Sequence, residues 1–309
     1  MKRILSLVLV AIMISVFVVG CTQEPANAPA PAETPETPGS EKPAASDFDT
    51  SRTINVVSRE DGSGTRGAFV EIVGILEKDA NGNEVDRTYE EAIIQNGTDA
   101  VMTTVAGDKY GIGYISLGSL NDTVKAVTIE GVEATAENVQ NNSYKIARPF
   151  NIAYKGELSP LAKDFMDFIL SAEGQTIVVE EGYVQVGTDL PSYAGTNQSG
   201  KLVVAGSTSV TPVMEKLAES YQAMYSGVSI EIQSTGSSAG MQSAMEGTAE
   251  LGMASRELKE SELAELTAQV IAIDGIAVIT NKANPIDDLT IDDIKAIYVG
   301  ESTEWSSVQ

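Results

Sequence analysis

KLVVAGSTSVTPVMEKLAESYQAMY, residues 201–225, changes its hydrophobic period midway. Lys201-Leu202-Val203-Val204 is a short apolar run of strand character. From Pro212 to Tyr225 the period becomes helical, with Val213, Leu217, Tyr221 and Met224 on one face. Pro212 suits a first helical position, where its missing N–H costs nothing. Between the two halves lies the turn Gly206-Ser207-Thr208-Ser209. The same order recurs upstream, where Thr53-Ile54-Asn55-Val56-Val57 leads through a Gly-rich turn into a helix-like segment from Arg66 to Leu76. Val228 to Ile232 reads as a strand, Ser238 to Glu246 as a helix and Gln269 to Thr280 as a long apolar strand. Leu161, Phe165, Phe168 and Ile169 mark another amphipathic helix. Alternation of this kind predicts an α/β fold with mostly parallel sheets. The polar stretch SYAGTNQSG, residues 192–200, divides the folded part in two, and no strong internal repeat is visible.

The first fifty residues carry a different message. Lys2 and Arg3 precede an apolar run from Ile4 to Val19, which ends at Val18-Val19-Gly20-Cys21. The run suits a signal-peptide core and is short for a comfortable membrane span. Small residues followed by Cys21, the only cysteine of the chain, resemble a bacterial lipobox. Residues 1–21 are therefore expected to be a lipoprotein signal peptide ending at an acylated Cys21. A generic signal peptide with an incidental cysteine is the alternative. Residues 22–50 are rich in Pro, Ala, Glu, Thr and Ser without apolar periodicity, so they are expected to form a disordered, extended stalk.

Composition removes several chemistries. There is no histidine, and no cysteine follows Cys21. His/Cys zinc sites, cysteine nucleophiles, Ser-His-Asp arrangements and disulfides are thereby excluded. Asp plus Glu number 44 against 20 for Lys plus Arg, a formal charge of −24, so nucleic acid is a poor partner. A buried anion remains possible, because local donors and helix N-termini hold it irrespective of net charge.

Three strand-to-helix turns share one chemistry. They are Asp61-Gly62-Ser63-Gly64-Thr65-Arg66, Gly206-Ser207-Thr208-Ser209 and Gly236-Ser237-Ser238-Ala239-Gly240. Each sets small residues and hydroxyls where the N–H groups of a helix start point outward. A tetrahedral oxyanion wants such donors, each charge-assisted bond contributing about 1.5–3 kcal/mol. For any single turn, ordinary N-capping by Ser or Thr explains the residues equally well. Three together, one with an adjacent arginine, favour an anion. Gly62 to Gly67 also matches G-x-G-x-x-G, but the polar Lys78-Asp79-Ala80-Asn81-Gly82-Asn83 follows where a dinucleotide fold needs a second apolar strand. Gly236 to Gly240 matches the G-x-S-x-G elbow, yet no histidine exists to serve as its base. The chain does not read as an enzyme.

At these residues the sequence closely resembles the phosphate-binding lipoproteins of the bacterial high-affinity phosphate transporter. The segments are VVSREDGSGTRGAF, FMDFILSAEGQTIVVEEGYV, VVAGSTSVTPVMEKLAESY, STGSSAGMQSAMEGTAELGMASREL and IAIDGIAVITNKANPIDDLTIDDIKAIYVGESTEW, spanning nearly everything after the stalk. The resemblance implies a two-lobed, type II periplasmic-binding-protein fold with the ligand in the inter-lobe cleft. It implies inorganic phosphate as ligand and the permease subunits of an ABC transporter as partners. It also implies a lipid anchor on the outer face of the cell membrane, with no cofactor, no metal and no nucleic acid. Carried over by residue, the binding turns correspond to Thr208 and Ser209, to Ser237 with Ser238 beside it, and to Arg59, Ser63, Gly64 and Thr65. Arg59 supplies the compensating charge, with Asp61 expected to orient it. Some members place an aspartate after a Gly-Ala-Ser run to accept the proton of hydrogen phosphate. Here the run is Gly252-Met253-Ala254-Ser255-Arg256, a pattern associated with the Gram-positive branch. Ser255 stays in the expected ligand set. Asp274 is the candidate substitute acceptor, with a structural carboxylate at the hinge as the equal alternative.

The order of the halves departs from the family, since the REDGSGTR half precedes the GSTS half. A circular permutation is expected, with residues 187–200 joining the usual termini. A fragment of a longer tandem protein is the alternative. One lobe is expected from residues 51–147 plus 278–309, the other from 155–277, with the chain crossing near Arg148 to Tyr154. Receptors for sulfate or molybdate, and a sensor without transport, remain the competing functions, since fold alone does not separate them.

Overall fold

Two long strands, Ala147–Tyr154 and Thr267–Thr280, pair antiparallel in the middle of one nine-stranded sheet and belong to both halves of the molecule. The computed structural model describes residues 47–308. The signal segment 1–21, Cys21 and residues 22–46 of the stalk lie outside them.

In chain order the elements are β1 (Asn55–Arg59), α1 (Gly64–Ile72), β2 (Leu76–Lys78), β3 (Glu84–Asp86), β4 (Ile93–Gln95), α2 (Thr98–Gly107) and β5 (Gly111–Ser116). Next come β6 (Lys125–Ala126), β7 (Thr128–Ile129), α3 (Ala136–Gln140), β8 (Ala147–Tyr154), α4 (Pro160–Ile169) and α5 (Ala172–Glu180). β9 (Gly200–Gly206), α6 (Thr211–Met224), β10 (Val228–Ser234), α7 (Ser237–Glu246), β11 (Leu251–Ala254) and α8 (Glu260–Leu263) follow. β12 (Thr267–Thr280), β13 (Asp288–Leu289) and α9 (Ile291–Tyr298) close the series.

The sheet runs β10-β9-β11-β8-β12-β5-β1-β4. Parallel pairs occupy its two flanks, β10 with β9 with β11 on one and β5 with β1 with β4 on the other. All pairings of the central strands β8 and β12 are antiparallel. The parallel flanks are the α/β units the sequence predicts, and the antiparallel centre is where the chain crosses between them.

Two main cores sit on either side of this centre. One collects Phe150, Ile152, Phe165, Phe168, Val204, Leu217, Tyr221, Met253 and Ile271. The other collects Val56, Phe69, Ile112, Tyr114, Ile276, Val278, Ile297 and Trp305. Smaller clusters cover the opposite faces, around Val101, Val105 and Ile279 in the first lobe and around Met241, Ala254 and Leu266 in the second. Each lobe is thus a sheet covered on both faces, as parallel strands require. The apolar faces read at 3.6-residue spacing are buried except at the end of α6: Phe165, Phe168, Leu217 and Tyr221 are all at most 2% exposed, whereas Met224, the last residue of its helix, is 46% exposed. Each such side chain removed from water contributes about 1.5–3 kcal/mol.

Local chemistry sets the ends of the helices. Ser159 caps α4, accepting from the Ala162 N–H, with Pro160 in the first turn. The helix read from Arg66 to Leu76 is shorter than its sequence pattern, ending at Ile72. Gly74 follows at φ +77°, and Leu76 then enters the hairpin β2–β3, whose turn is the polar run from Asp79 to Asn83. The folded body also starts earlier than composition suggests. Phe48, inside the stretch assigned to the stalk, is 8% exposed and packs against Tyr110 and Trp305. The segment before β9 is held firmly: the Asp164 carboxylate accepts from the hydroxyls of Tyr193 and Tyr221 and from Thr196. Among the described residues no helix is long and apolar enough to cross a membrane.

Candidate anion-binding site

β1 delivers Arg59 to the edge of the first lobe, and the turn after it leads directly into α1. Gly62 takes φ +84° in that turn, and Ser63 caps the helix by accepting from the Arg66 N–H at 3.3 Å. In the second lobe β9 ends at Gly206, whose φ is +143°. A Cβ there would stand 2.2 Å from the Met253 carbonyl oxygen, so the strand end packs only as glycine. The Ser207 hydroxyl caps the following turn, accepting from the Ser209 N–H at 3.2 Å. Gly236, at φ +92°, opens α7 and sets Ser237 at its first position.

These turns face one another. The Arg59 Nη2 donates to Thr208 Oγ1 at 2.9 Å, and the hydroxyls of Thr65 and Ser209 meet at 2.9 Å. The Ser238 N–H donates to the Gly62 carbonyl at 3.0 Å. Gly64 is pressed against the opposite wall, for a Cβ added to it would lie 2.3 Å from Ser237 Oγ and 2.7 Å from Ser255 Oγ. Ser255 also receives a hydrogen bond from Ser207 at 2.8 Å. The structure therefore brings Arg59, Ser63, Gly64 and Thr65 to one wall, and Thr208, Ser209, Ser237 and Ser255 to the other. All except Thr208 are buried. Helices α1, α2, α6 and α7 start at or beside this cluster, so their positive ends converge on it. Hydroxyls, helix starts and one guanidinium suit an anion.

The structure differs from the sequence reading at Asp61, bears on the choice left open at Asp274 and adds Thr98. Asp61 does not orient Arg59; its side chain is 98% exposed and pairs with Arg66 at 3.0 Å. Glu60 holds Arg59 instead, accepting from Nε at 2.7 Å and from Nη2 at 2.8 Å. Burial raises the Glu60 carboxyl, but the hydrogen bond and charge of Arg59 outweigh it and hold the group below the ordinary range. Asp274 is not among the contacts of the cluster. It pairs with Arg148 at 2.9 Å across the β8–β12 ladder, the position of a hinge carboxylate. Thr98 is the residue that sequence reading passed over. It opens α2, lies 3.3 Å from Ser209 Oγ and 3.5 Å from Arg59 Nη1, and is 4% exposed. Its signal was present as Ile93-Ile94 followed by Gly97-Thr98, a fourth strand, glycine and hydroxyl in sequence.

The other arginines near the cleft pair with carboxylates and also touch the turns. Arg66 pairs with Asp61 and Asp86 and donates to the Arg59 carbonyl at 3.0 Å, and Arg256 makes a two-bond fork with Glu262 at 2.7 and 2.8 Å and donates to Ser238 Oγ at 3.2 Å.

Comparison with known proteins identifies the family of the chain. The sequence profile of the PBP superfamily domain matches residues 45–173 and 191–309. Phosphate-binding protein PstS 2 of Streptococcus agalactiae serotype V is 48% identical over 258 residues, covering 83% of this chain and 88% of the relative. The PstS 2 protein of Streptococcus pneumoniae serotype 4 is 46% identical over 266 residues, covering 86% and 91% respectively. A crystal structure of a phosphate ABC transporter phosphate-binding protein from Streptococcus pneumoniae superposes with a TM-score of 0.68 at 46% identity, covering 83% of this chain and all of that one. With its two-lobed α/β architecture and these relatives, the chain belongs to the PstS phosphate-binding proteins of the PBP superfamily.

Proposed function

We propose that this protein is an extracytoplasmic receptor that captures inorganic phosphate between its lobes and delivers it to the permease subunits of an ABC importer. The observation that carries this reading is the meeting of two hydroxyl-rich walls around the buried guanidinium of Arg59, which hydrogen-bonds across the cleft to Thr208. Streptococcal relatives named for phosphate binding support the same ligand. Arg59, Ser63, Gly64, Thr65 and Thr98 would hold the anion from the first lobe, and Thr208, Ser209, Ser237 and Ser255 from the second. Calorimetric titration of the purified full chain is expected to give a phosphate Kd of about 1 μM or lower, about −8 kcal/mol. Heat with sulfate or molybdate and none with phosphate would overturn the assignment.

Closure supplies a second expectation. Gly64→Ala should leave each lobe folded, because a helix start accepts alanine. It should still cost at least tenfold in phosphate affinity, because the added Cβ meets Ser237 and Ser255 across the cleft. Unchanged affinity with an unchanged circular-dichroism spectrum would show that this contact is not part of the closed, liganded state.

Two further readings belong to the same proposal. Lipidation of Cys21 would tether the receptor to the outer face of the membrane, and Cys21→Ala should release it to the soluble fraction. A permuted order of the halves is supported by the contact between the early and late segments. Thr53 bridges Glu304, the Ile54 N–H donates to Thr303 O at 2.8 Å, and the Ser306 N–H donates to Thr50 O at 2.7 Å. Permutation needs such neighbouring ends at a surface. The streptococcal relatives share this order over 88% or more of their length.

A further inference from the structure

The two strands that carry the chain between the lobes hold a group of polar side chains that the anion cluster does not use. Arg148 on β8 and Asp274 on β12 face each other there, and Tyr183 and Ser116 lie close to them. None of the four is more than 3% exposed. One hydrogen bond, from Arg148 Nη2 to Asp274 Oδ2 at 2.9 Å, joins the pair. Arg148 Nε and Nη1, Asp274 Oδ1, the Tyr183 hydroxyl and the Ser116 hydroxyl have no hydrogen-bond partner among the described residues. Ser116 is near enough to perturb both the Asp274 carboxyl and the Tyr183 phenol, yet meets neither in good hydrogen-bonding geometry. Buried polar groups are nearly always paired. Five unpaired atoms in one cluster therefore concentrate a desolvation cost at the hinge.

The same cluster spans the two lobes. Ser116 ends β5 of the first lobe, and Gly118 follows it in a short 3-10 turn over residues 117–119. Tyr183 belongs to the core of the second lobe, where its ring lies 5.2 Å from that of Phe150. The phenol reaches across to Gly118 with no room to spare. A Cβ added there would lie 2.5 Å from the Tyr183 hydroxyl oxygen and closer still to the ring carbon that bears it. This packing accompanies a shut cleft, in which Thr65 meets Ser209 and the Ser238 N–H donates to the Gly62 carbonyl. A hinge that is dry and underpaired when the lobes meet gains water as a partner when they part.

We propose that Arg148, Asp274, Tyr183 and Ser116 form a conformational device that holds the empty receptor open, so that the cleft shuts only when an anion supplies the closing free energy. The proposal rests on the phosphate reading above for its ligand and adds the element that sets the resting state. A receptor whose binding-competent form is a minor one shows an apparent affinity reduced by that fraction. Removing an unpaired hydroxyl from the shut hinge therefore raises affinity. Crowding the contact between Tyr183 and Gly118 lowers it. Both changes lie outside the anion cluster, and they act in opposite directions.

The test combines calorimetric titration of the full chain with phosphate and small-angle X-ray scattering of the same samples without ligand. Tyr183→Phe is expected to raise phosphate affinity about three- to tenfold, the scale of one buried unpaired group. Its ligand-free radius of gyration should move toward that of the phosphate-bound parent. Ser116→Ala should act in the same direction. Gly118→Ala, which a 3-10 turn accepts, should lower affinity at least tenfold and leave the ligand-free protein at least as expanded as the parent. If neither Tyr183→Phe nor Ser116→Ala binds phosphate more tightly than the parent, the hydroxyls do not oppose closure and the proposal fails. It fails equally if Gly118→Ala lowers the urea midpoint without changing affinity, since the contact then serves the fold and not the motion. A parent that binds sulfate and not phosphate overturns the phosphate reading alone, and sulfate titrations of the same variants then test the hinge.

Discussion

Arg59→Ala is expected to weaken phosphate binding by about a hundredfold or more while leaving the two lobes folded. Arg59 is 1% exposed and reaches both walls, through Thr98 on its own lobe and Thr208 on the other. A charge-assisted hydrogen bond to the ligand contributes about 1.5–3 kcal/mol, and about 1.4 kcal/mol is one decade in affinity, so the loss of even two such bonds accounts for the effect. The substitution also strips Glu60 of its counter-charge. A carboxylate that the guanidinium holds below its ordinary range would then stand unpaired beside the incoming anion. Arg59→Lys should recover little, since an ammonium cannot hold Glu60, Thr98 and Thr208 together in one plane. Affinity within threefold of the parent for Arg59→Ala, measured by calorimetry, would remove Arg59 from the site and turn attention to Arg66 or Arg256.

What could be read from sequence follows a physical line. Strand, glycine turn and helix are local patterns, so the turns at Gly62, Gly206 and Gly236 declared themselves, together with their hydroxyls. The long strand at Gln269 to Thr280 declared itself too, because a strand buried on both faces is continuously apolar. Thr98 escaped because β4, which positions it, is only three residues long and carries Ile93 and Ile94 largely exposed at the sheet edge. No burial signal marks such a strand. The partner of Arg59 was misread for another reason. Glu60 and Asp61 are adjacent acids, and which one turns inward depends on the backbone path after β1. The Gly62 turn sends Asp61 to solvent and Glu60 toward the start of α2, where it accepts from the Gly97 N–H. Helix α1 ended early because Gly74 adopts a left-handed conformation that apolar periodicity does not report.

Asp274 posed a choice between ligand acceptor and hinge carboxylate, and its removal is the experiment that decides. Asp274→Ala is expected to destabilise the protein by about 3–5 kcal/mol, the usual cost of orphaning one member of a buried ion pair. Arg148 and Asp274 are 3% and 1% exposed, opposite each other on the two strands that join the lobes. Their guanidinium and carboxylate meet at 2.9 Å, and the guanidinium also lies 5.5 Å from the Phe150 ring. Burial raises the Asp274 carboxyl in spite of Arg148 and lowers the Arg148 guanidinium in spite of Asp274, so each charge is held against desolvation chiefly by the other. A double replacement by apolar residues of similar size, Arg148→Met with Asp274→Leu, should therefore restore stability to within about 1 kcal/mol of the parent. The raised carboxyl fixes the sign of its pH dependence as well. Asp274 contributes stability below the ordinary carboxylate range and loses that contribution as pH rises through its raised value. Acid unfolding must come from other groups, such as Asp164 and Glu262. Burial raises each of these, but their hydrogen bonds outweigh it and hold them low, so their contribution disappears as pH falls. Urea unfolding of the single and double variants reads the hinge assignment directly. If Asp274→Ala unfolds with the parent but no longer binds phosphate, the carboxylate belongs to the ligand.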